Sequence, residues 1–592
     1  MSVRRPLALR VVPASIVVLL ISVSFLPNAF GAGNDQQDVA SVQTFYVAPH
    51  GSDSNPGTEK APWKSMFKAT GTLKAGETAV FEDGVYEETQ EATFANSGTA
   101  SAPITVKARN KHKAMIRYVG RSNENKITAR AKTYITIQDF EITQDQRGGP
   151  GNVLYDTPVI CWQGSDYCRV IGNKIHKSAG ACVRTTFTRG TRVDGNICFD
   201  VQGWGAVSTF GTTDLVIANN EIYGTVGTEI IYSKGGAKGT RVYNNHIRTS
   251  GDWITAILLG GSSGAQWVED KNGYEGYNQV AFNNIIVADS PGGIHQGILI
   301  RGCDNCAAFN NVVVGAQYGL VASKGSGKEK GWNWEVTSRN PRFMNNIVMG
   351  CTQSATSFND IDGTVVHDYN LYHRCAGAPT QQHGVQGDPL FVDATSDWRL
   401  RVGSPAIDAG SSLAFKSTSG ETIDLSKDRV GATRAARWDI GAYEHGSTAP
   451  DPVVPVKPPA EEAAESVTTT TTTTTAKTSV VVATEKPATL DVKRRTAPSA
   501  TNPTIAPANN AQVRAPNTSD AVRTSVVPAE VRSQSTAFSS TPVASVSEPT
   551  TLAETGFEVG LYASTASLSI ALGLTLLCAS QSGVPPLDRT HC

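Results

Sequence analysis

The sequence predicts an all-β solenoid, in which short strands wind into stacked coils. A short apolar strand, an asparagine and a second apolar strand recur, as in "RVIGNKI", "VIANNEI" and "AAFNNVV". Successive repeats lie 23, 24, 25, 39, 27, 35 and 24 residues apart. Repeats of this length without helical periodicity are typical of solenoids. The repeated asparagines are Asn173, Asn196, Asn220, Asn245, Asn284, Asn311, Asn346 and Asn370.

The repeated asparagine predicts a ladder. Coils of a solenoid stack at about 4.8 Å, so an asparagine at one turn of every coil brings side-chain amides into register. The two long spacings indicate insertions at roughly 262–279 and 325–340, which a solenoid tolerates as loops in single coils.

The N-terminus predicts export. Arg4, Arg5 and Arg10 precede the apolar run "IVVLLISVSFL", and small residues follow near Ala32, so residues 1–32 are predicted to be a signal peptide. Eight of the ten cysteines lie between Cys161 and Cys375. In a secreted protein these predict disulfides, and a disulfide or buried thiols are favoured over a zinc site for the CxxC of Cys303 and Cys306.

The C-terminal quarter has a different composition. Residues 447–551 are rich in Ser, Thr and Pro and are predicted to form a disordered stalk. Residues 552–592 begin with "LAETGF" and continue into an apolar segment, which resembles a sortase signal of the LAxTG type. That resemblance implies cleavage after Thr555 and attachment to the cell wall. A GPI-type signal and an accidental match before a weak membrane segment are the alternatives.

The central pattern and both of its ends resemble one known group. "FYVAPHGSDSNPGTEKAPWKS" near the start and "GSPAIDAG" and "RWDIGAYEH" near the end are similar to segments of pectate-lyase-like proteins. The resemblance covers roughly residues 44–445 and implies a right-handed parallel β-helix. We expect an N-terminal cap and first coils over 33–130, coils over 131–376, and a β segment over 377–446 that completes the helix.

Aligning the coils predicts a surface column. When the strands are registered on the glycine that ends each one, the preceding residues are Gln163, Arg189, Phe210, Lys234, Leu259, Arg301 and Lys324. Lys234 and Arg301 would then lie two coils, or about 10 Å, apart, with the Lys234 side chain exposed. The insertions would add Trp267, Trp332 and Trp334 as walls that stack on sugar rings, or these aromatics would only pack the loops onto the helix.

The cationic column suits β-elimination on a uronate polymer. That reaction needs a base for the proton at C5, positive charge for the carboxylate, and a donor for the leaving oxygen. A lysine can be the base only when desolvation or nearby cations lower its pKa. Arginine suits carboxylate binding, and Lys324 and His295 would add contacts to the substrate.

One coil resembles a polysaccharide lyase family. "EIIYSK" is similar to a run in the family that includes alginate lyases and chondroitinase B. The resemblance implies that Glu229 binds Ca²⁺ and that Lys234 is the catalytic base. The arginine of that family has no counterpart one coil later, so Arg301 or Arg248 would serve. Asn196 lies nearest to the position of its asparagine ligand.

Two other functions remain open. A glycoside hydrolase on this fold needs clustered aspartates, whereas Asp194, Asp200, Asp214 and Asp252 are scattered. A non-catalytic carbohydrate-binding or adhesive surface protein fits the stalk equally well. The net charge of −1 disfavours nucleic acid as a partner, and we expect a secreted or surface-anchored monomer that acts on an acidic polysaccharide.

Overall fold

The computed structural model describes residues 43–119, 126–144, 157–203, 205–224, 227–268, 273–329 and 332–448. The chain divides into two units, Met1–Thr470 and Thr471–Cys592, and all described residues belong to the first. The predicted signal peptide, the stalk beyond residue 448 and the sorting signal lie outside these ranges. Within them, no helix has the length and apolarity needed to cross a membrane.

Four parallel sheets run along the solenoid, and each coil contributes one strand to most of them. Sheet 1 consists of Thr44–Val47, Thr78–Phe81, Ile104–Ala108, Ile135–Gln138, Arg169–Ile171, Arg192–Asp194, Val216–Ala218, Arg241–Tyr243, Val280–Phe282, Ala307–Phe309, Arg342–Met344 and Val366–Asp368. Sheet 2 consists of Gly84–Glu88, Ala114–Tyr118, Glu141–Gln144, Lys174–Ser178, Ile197–Val201, Glu221–Tyr223, His246–Thr249, Ile285–Ala288, Val312–Val314, Ile347–Met349, Leu371–His373 and Val385–Gln386.

The other two sheets complete each coil. Sheet 3 consists of Ala92–Thr93, Ile127–Arg130, Val159–Trp162, Ala181–Thr186, Gly205–Phe210, Glu229–Lys234, Thr255–Gly260, Ile294–Arg301, Ala316–Ser323 and Ser354–Phe358. Sheet 4 consists of Ala237–Lys238, Gly276–Tyr277, Cys303–Asp304, Ser338–Arg339 and Ile361–Asp362. The prediction of an all-β solenoid of stacked coils is therefore confirmed.

The core runs along the inside of the coils. Alternate residues of each strand point inward, so one residue type stacks on the next at the same position of successive coils. Burying each of these aliphatic side chains stabilises the fold by about 1.5–3 kcal/mol. In sheet 3 one such inward column consists of Val159, Val183, Val207, Ile231, Ile257, Ile298 and Leu320.

The asparagine ladder forms as predicted at the turn between sheets 1 and 2. The Nδ2 of each asparagine from Asn173 to Asn346 donates to the Oδ1 of the next one, over 2.9–3.1 Å. That Oδ1 also accepts the backbone N–H of the preceding asparagine. The ladder ends where Asn370 donates to the Oε1 of Gln381 over 2.9 Å. Buried amides are thus paired from coil to coil.

The C-terminal segment covers two of the sheets instead of completing the helix. Only Val385–Gln386 adds a strand, to sheet 2. The rest forms the antiparallel hairpins Phe391–Asp393/Asp397–Leu400 and Phe415–Lys416/Thr422–Ile423. Trp398 and Tyr443 pack on the outer face of sheet 2, and Phe415 and Trp438 pack on that of sheet 1. The outer face of sheet 3 is outside both clusters.

Two short helices and four disulfides complete the described structure. The helix Met66–Thr72 is capped by Ser65 and buries Met66 and Ala69 in the main core. The 3₁₀ helix Ala265–Trp267 lies in the first insertion. The eight central cysteines form the disulfides Cys161–Cys168, Cys182–Cys198, Cys303–Cys306 and Cys351–Cys375, so the disulfide prediction is confirmed.

Candidate active site on the outer face of sheet 3

The outward column predicted for sheet 3 is correct at its centre. Phe210 stands opposite Lys234 in the neighbouring coil. Ser233 stands opposite Leu259, so the next residues, Lys234 and Gly260, are in register. Gly260 in turn stands opposite Arg301. Lys234 and Arg301 therefore occupy one column with a single glycine between them. The full column is Trp162, Thr186, Phe210, Lys234, Gly260, Arg301 and Ser323.

Four members of the predicted column are displaced. Gln163, Leu259 and Lys324 are each one residue away from the true position, and Arg189 is three residues away. The reason is that the glycine does not follow every strand at the same distance. A shift of one residue reverses the face to which a strand residue points.

Lys234 lies on the outer face but is not exposed. Its side chain packs over the rings of Tyr232 and Phe210, with Nζ at 4.4 and 5.5 Å from the ring centroids. Its Nζ donates to Glu229 Oε2 over 3.0 Å. A Cβ at Gly261 would fall 2.7 Å from Lys234 Cδ, so the first insertion begins directly against the lysine. Only 6% of Lys234 is exposed, which corrects the predicted exposure.

Arg301 adds a second cation to the same centre. Its Nε donates to Ser323 Oγ over 3.3 Å. Burial lowers the pKa of Arg301, and the negative charge of Glu229 acts against that shift. Glu229 is thus close enough to act electrostatically on Arg301 while it accepts a hydrogen bond from Lys234. The three residues form one charged cluster with a net charge of +1.

A polar column lies beside this cluster. Glu229 stands opposite Thr255, which stands opposite Gln296, and Tyr318 follows in the next coil. Thr255 Oγ1 donates to Gln296 Oε1 over 3.0 Å. His295, for which the sequence analysis proposed a contact with substrate, lies next to Gln296 in the same strand. The column can offer hydroxyl and amide groups to a ligand.

The first insertion covers part of the face. The buried carboxylate of Glu275 accepts hydrogen bonds from the backbone N–H groups of Gly235 and Ser263, each over 2.7 Å. Trp267 packs on Phe210, with ring centroids 5.1 Å apart, and the Arg184 guanidinium lies 5.0 Å from the Trp267 ring. Trp267 therefore packs the insertion onto sheet 3. Of the two roles considered for this tryptophan, its contacts favour loop packing over stacking on a sugar ring.

The second insertion is a hairpin of Gly325–Glu329 and Trp332–Val336. Trp334 is 7% exposed, so it is buried and does not present a free ring. The Trp332 side chain is outside the described part of the chain. Lys324 is exposed and its Nζ lies 3.3 Å from Glu335 Oε2 of the hairpin. The hairpin therefore lies at one edge of the outer face of sheet 3, directly after the strand Ala316–Ser323.

Two predicted site residues lie elsewhere. Arg248 is on sheet 2, where its Nε donates to Asp289 Oδ1 over 2.8 Å and its Nη1 donates to the carbonyl of Thr395. It therefore belongs to a different sheet from Lys234. Asn196 is buried in the ladder, with its amide bound to Asn173, Asn220 and Val170, so the structure gives it a structural role in place of a calcium ligand.

The residues around Glu229 do not fit a calcium ion. Ca²⁺ takes six to eight oxygen ligands and usually several carboxylates. The described residues contain no group of three or more His, Cys, Asp or Glu arranged to hold a metal. Glu229 is bonded to Lys234 and also faces Arg301, and these two cations would repel the ion. The donors next to it are the neutral Thr255 and Gln296.

A pair of catalytic carboxylates is also missing from the strands of this face. Glu229 is the only Asp or Glu in the ten strands of sheet 3. Asp194 is in sheet 1, Asp200 is in sheet 2, and Asp214 and Asp252 lie outside the strands. Glycoside hydrolases that act through a carboxylate pair need both groups within about 5–10 Å of each other.

Sequence reasoning missed Trp253. This side chain is 72% exposed and precedes the sheet 3 strand Thr255–Gly260. Its ring centroid lies 4.8 Å from that of His295. The sequence "GDWIT" could have indicated it, because it places a tryptophan next to an aspartate at a coil turn. The predicted column was aligned on the glycine at the C-terminal end of each strand, whereas Trp253 precedes the N-terminal end.

Comparisons with known proteins agree with this architecture. Residues 45–169 match the model of the Pel9A-like right-handed β-helix region. The fold is a right-handed parallel β-helix. The predicted fold class and its handedness are therefore confirmed.

Individual relatives match over short stretches. The chain is 41% identical over 63 residues to pectate lyase PEL9 of Emericella nidulans, which is 11% of this chain and 15% of that protein. It is 28% identical over 110 residues to the uncharacterized protein YwoF of Bacillus subtilis, which is 17% of this chain and 23% of that protein. The chain thus aligns with less than a quarter of either relative. The solved structure of pectate lyase Pel9A is 15% identical and covers 68% of this chain and 96% of its own, with a TM-score of 0.36.

Proposed function

We propose that this protein is a polysaccharide lyase that cleaves a uronate-containing polymer by β-elimination on the outer face of sheet 3. One observation carries the proposal: Lys234 and Arg301 share an outward column, and Glu229 interacts with both. The similarity of short stretches to a pectate lyase supports the same class of reaction.

The roles follow from the chemistry of the side chains. Arg301 stays protonated and its planar guanidinium pairs with the uronate carboxylate, where negative charge develops in the transition state. Lys234 removes the proton at C5. The electron pair of that C–H bond forms the C4–C5 double bond, and the bond between C4 and the glycosidic oxygen breaks. The Lys234 ammonium can return a proton to the departing oxygen.

Glu229 positions the lysine. Its Oε2 accepts a hydrogen bond from Lys234 Nζ over 3.0 Å, which holds the amine in the outward column that also carries Arg301. Lys234 must be a free amine before it can accept a proton, and desolvation and nearby cations are what favour that form of a lysine. Glu229 is thus a positioning residue, and this role replaces the calcium ligation that the sequence suggested for Glu229.

The test is the ultraviolet absorbance of unsaturated uronate. The purified protein is incubated with pectate, alginate and glycosaminoglycans, and product is followed by absorbance and by reducing ends. A lyase gives both signals together. Reducing ends without absorbance would indicate a hydrolase and would contradict the proposal, as would the absence of both signals on all polymers.

A non-catalytic carbohydrate-binding function is the second candidate. It is favoured by the burial of Lys234 under the first insertion, because a covered lysine in an ion pair is a stable structural element. Retention of the protein on a polysaccharide gel, with no change in the polymer, would support this candidate over the lyase.

We also propose that the protein acts outside the cell. Four disulfides in one domain are typical of oxidising compartments. The Ser/Thr/Pro-rich segment and "LAETGF" would then attach the β-helix to the cell surface. Mass spectrometry of the surface-bound protein would show a C-terminus at Thr555 for a sortase product and would contradict this attachment if residues beyond Thr555 remain.

A further inference from the structure

Trp253 is presented to solvent in a way that packing does not explain. It has the largest exposed fraction of any exposed aromatic side chain in the described part of the chain. Its backbone has φ of +62°, a left-handed conformation that is strained for a bulky residue. The neighbouring Ile254 is buried in the core. The turn therefore directs one apolar side chain inward and holds the indole outside.

The indole is the first of three rings that cross three coils. Trp253 contacts His295, and His295 packs edge-on against Tyr318 with centroids 5.4 Å apart. The strands that carry them are neighbours, because Thr255 pairs with Gln296 and Gln296 pairs with Tyr318. The rings form a strip at the Glu229 end of sheet 3, beside the proposed reaction centre.

The hydrogen bonds of this strip fix the tautomer of His295. Gln317 Nε2 donates to the carbonyl of Gly292 over 3.0 Å, which orients its amide. Gln317 Oε1 must then accept from His295 Nδ1, also over 3.0 Å. In the neutral imidazole, this hydrogen bond places the hydrogen on Nδ1 and leaves Nε2 as a lone-pair acceptor, with no hydrogen-bond partner among the described residues. Gln296 accepts from Thr255 through Oε1, so its Nε2 can donate to a ligand.

The charges around the strip select the ligand. Trp253, His295, Gln296 and Tyr318 include no lysine or arginine, and the exposed Asp252 precedes Trp253 in the chain. A carboxylate at this position would find no cation within the strip to pair with. A neutral pyranose would stack its C–H face on the indole and exchange hydroxyl hydrogen bonds with His295 Nε2 and Gln296 Nε2.

We propose that Trp253, His295 and Gln296 form a binding subsite for a neutral sugar next to the uronate bound by Arg301. This inference rests on the proposed function for its placement beside the uronate. It implies that the preferred polymer is a heteropolysaccharide in which a uronate has a neutral sugar as its neighbour, and that polymers of uronate alone occupy the subsite poorly.

The experiment measures binding separately from turnover. Calorimetric titrations use the full chain with Lys234→Met, which prevents cleavage. In that background, the protein that retains Trp253 is compared with the Trp253→Ala and Trp253→Phe variants. The probes are oligosaccharides of galacturonate alone, of mannuronate and guluronate alone, and of uronate alternating with a neutral or N-acetylated sugar. Phe67→Ala is the matched control, because Phe67 is an exposed aromatic in the N-terminal helix.

We expect Trp253→Ala to weaken binding of the alternating oligosaccharides by roughly 3- to 10-fold, the range of an aromatic contact. Trp253→Phe should recover most of it, Phe67→Ala should have no effect, and homouronate binding should change less than twofold. The subsite would be overturned if the parent protein and its Trp253→Ala variant bound the alternating oligosaccharides equally. It would also be overturned if Trp253→Ala weakened binding of homouronates to the same extent, or if the parent protein bound none of the probes. If the protein is not a lyase, the absorbance assay on the unsubstituted protein shows this separately, and the binding result is unchanged.

Discussion

Two regions of the same coils use the repeat in opposite ways. At the turn between sheets 1 and 2, every coil from Asn173 to Asn370 places the same residue, and each amide is satisfied by its neighbours. On the outer face of sheet 3, the column changes from Phe210 to Lys234, Gly260 and Arg301. There the partners of each side chain lie in its own strand, in the neighbouring coil or in an insertion.

The difference separates stability from chemistry. A repeated polar group extends its hydrogen bonds from coil to coil and has no capacity left for a ligand. A column that changes in every coil cannot pair in this way, so Lys234 is paired to Glu229 five residues earlier, and Arg301 keeps donors for a substrate. In this solenoid, the departures from the repeat mark the candidate site.

The largest expected effect comes from removing the lysine of the site. Lys234→Met should reduce formation of unsaturated product by roughly 10²- to 10⁴-fold, the usual contribution of a general base. The matched control is Lys416→Met, which removes an exposed lysine in the C-terminal hairpin over sheet 1 and should change the rate less than about twofold. Similar rates for both variants would show that the column has no catalytic role.

Breaking the ladder should affect stability instead. Asn245→Ala removes the acceptor of Asn220 and the donors to Ile217 and Asn284, all of them buried. We expect a loss of about 3 kcal/mol in the free energy of unfolding, measured by denaturant titration, because buried polar groups lose their partners. Asn359→Ala, at an exposed asparagine bonded to Ser357, is the control and should cost less than about 0.5 kcal/mol. A small loss at Asn245 would mean that the ladder is replaceable.

Keeping the charge but changing its shape should have a smaller effect. Arg301→Lys retains a cation in the column but loses the planar fork that binds a carboxylate through two hydrogen bonds. Affinity for uronate oligosaccharides should fall by about tenfold, as expected for one lost charge-assisted hydrogen bond. Arg248→Lys on sheet 2 should leave the affinity unchanged, and an equal loss there would place the binding face elsewhere.

The smallest effect is expected from metal removal. Since the residues around Glu229 do not form a calcium site, addition of EDTA should change the rate on soluble oligosaccharides by less than about twofold. Oligosaccharides are used because polymeric uronates themselves bind calcium. A rate that falls on chelation and returns with added Ca²⁺ would contradict the assignment of Glu229 as the partner of Lys234.

Some of the site could be predicted from the sequence and some could not. The positions of Phe210, Lys234 and Arg301 followed from the coil repeat because their strands end at a similar distance from the glycine. Lys324 and Arg189 were misplaced because Ser323 and Thr186 occupy their column positions, and the following turns differ in length. Lys234 was predicted to be exposed because a repeat does not show that Gly261 and the first insertion fold back over it.

The sequence alone determined the coil, its period and the ladder, because these depend on local strands and on one residue repeated at a fixed spacing. Only the tertiary structure decided which outer face stays open, since the hairpins that cover sheets 1 and 2 come from the C-terminal segment, which follows the coils in the chain. It also decided that Lys234 pairs with Glu229 and that Trp253 lies beside His295. Such contacts depend on where insertions and turns pack, and that is set by long-range burial rather than by any local pattern.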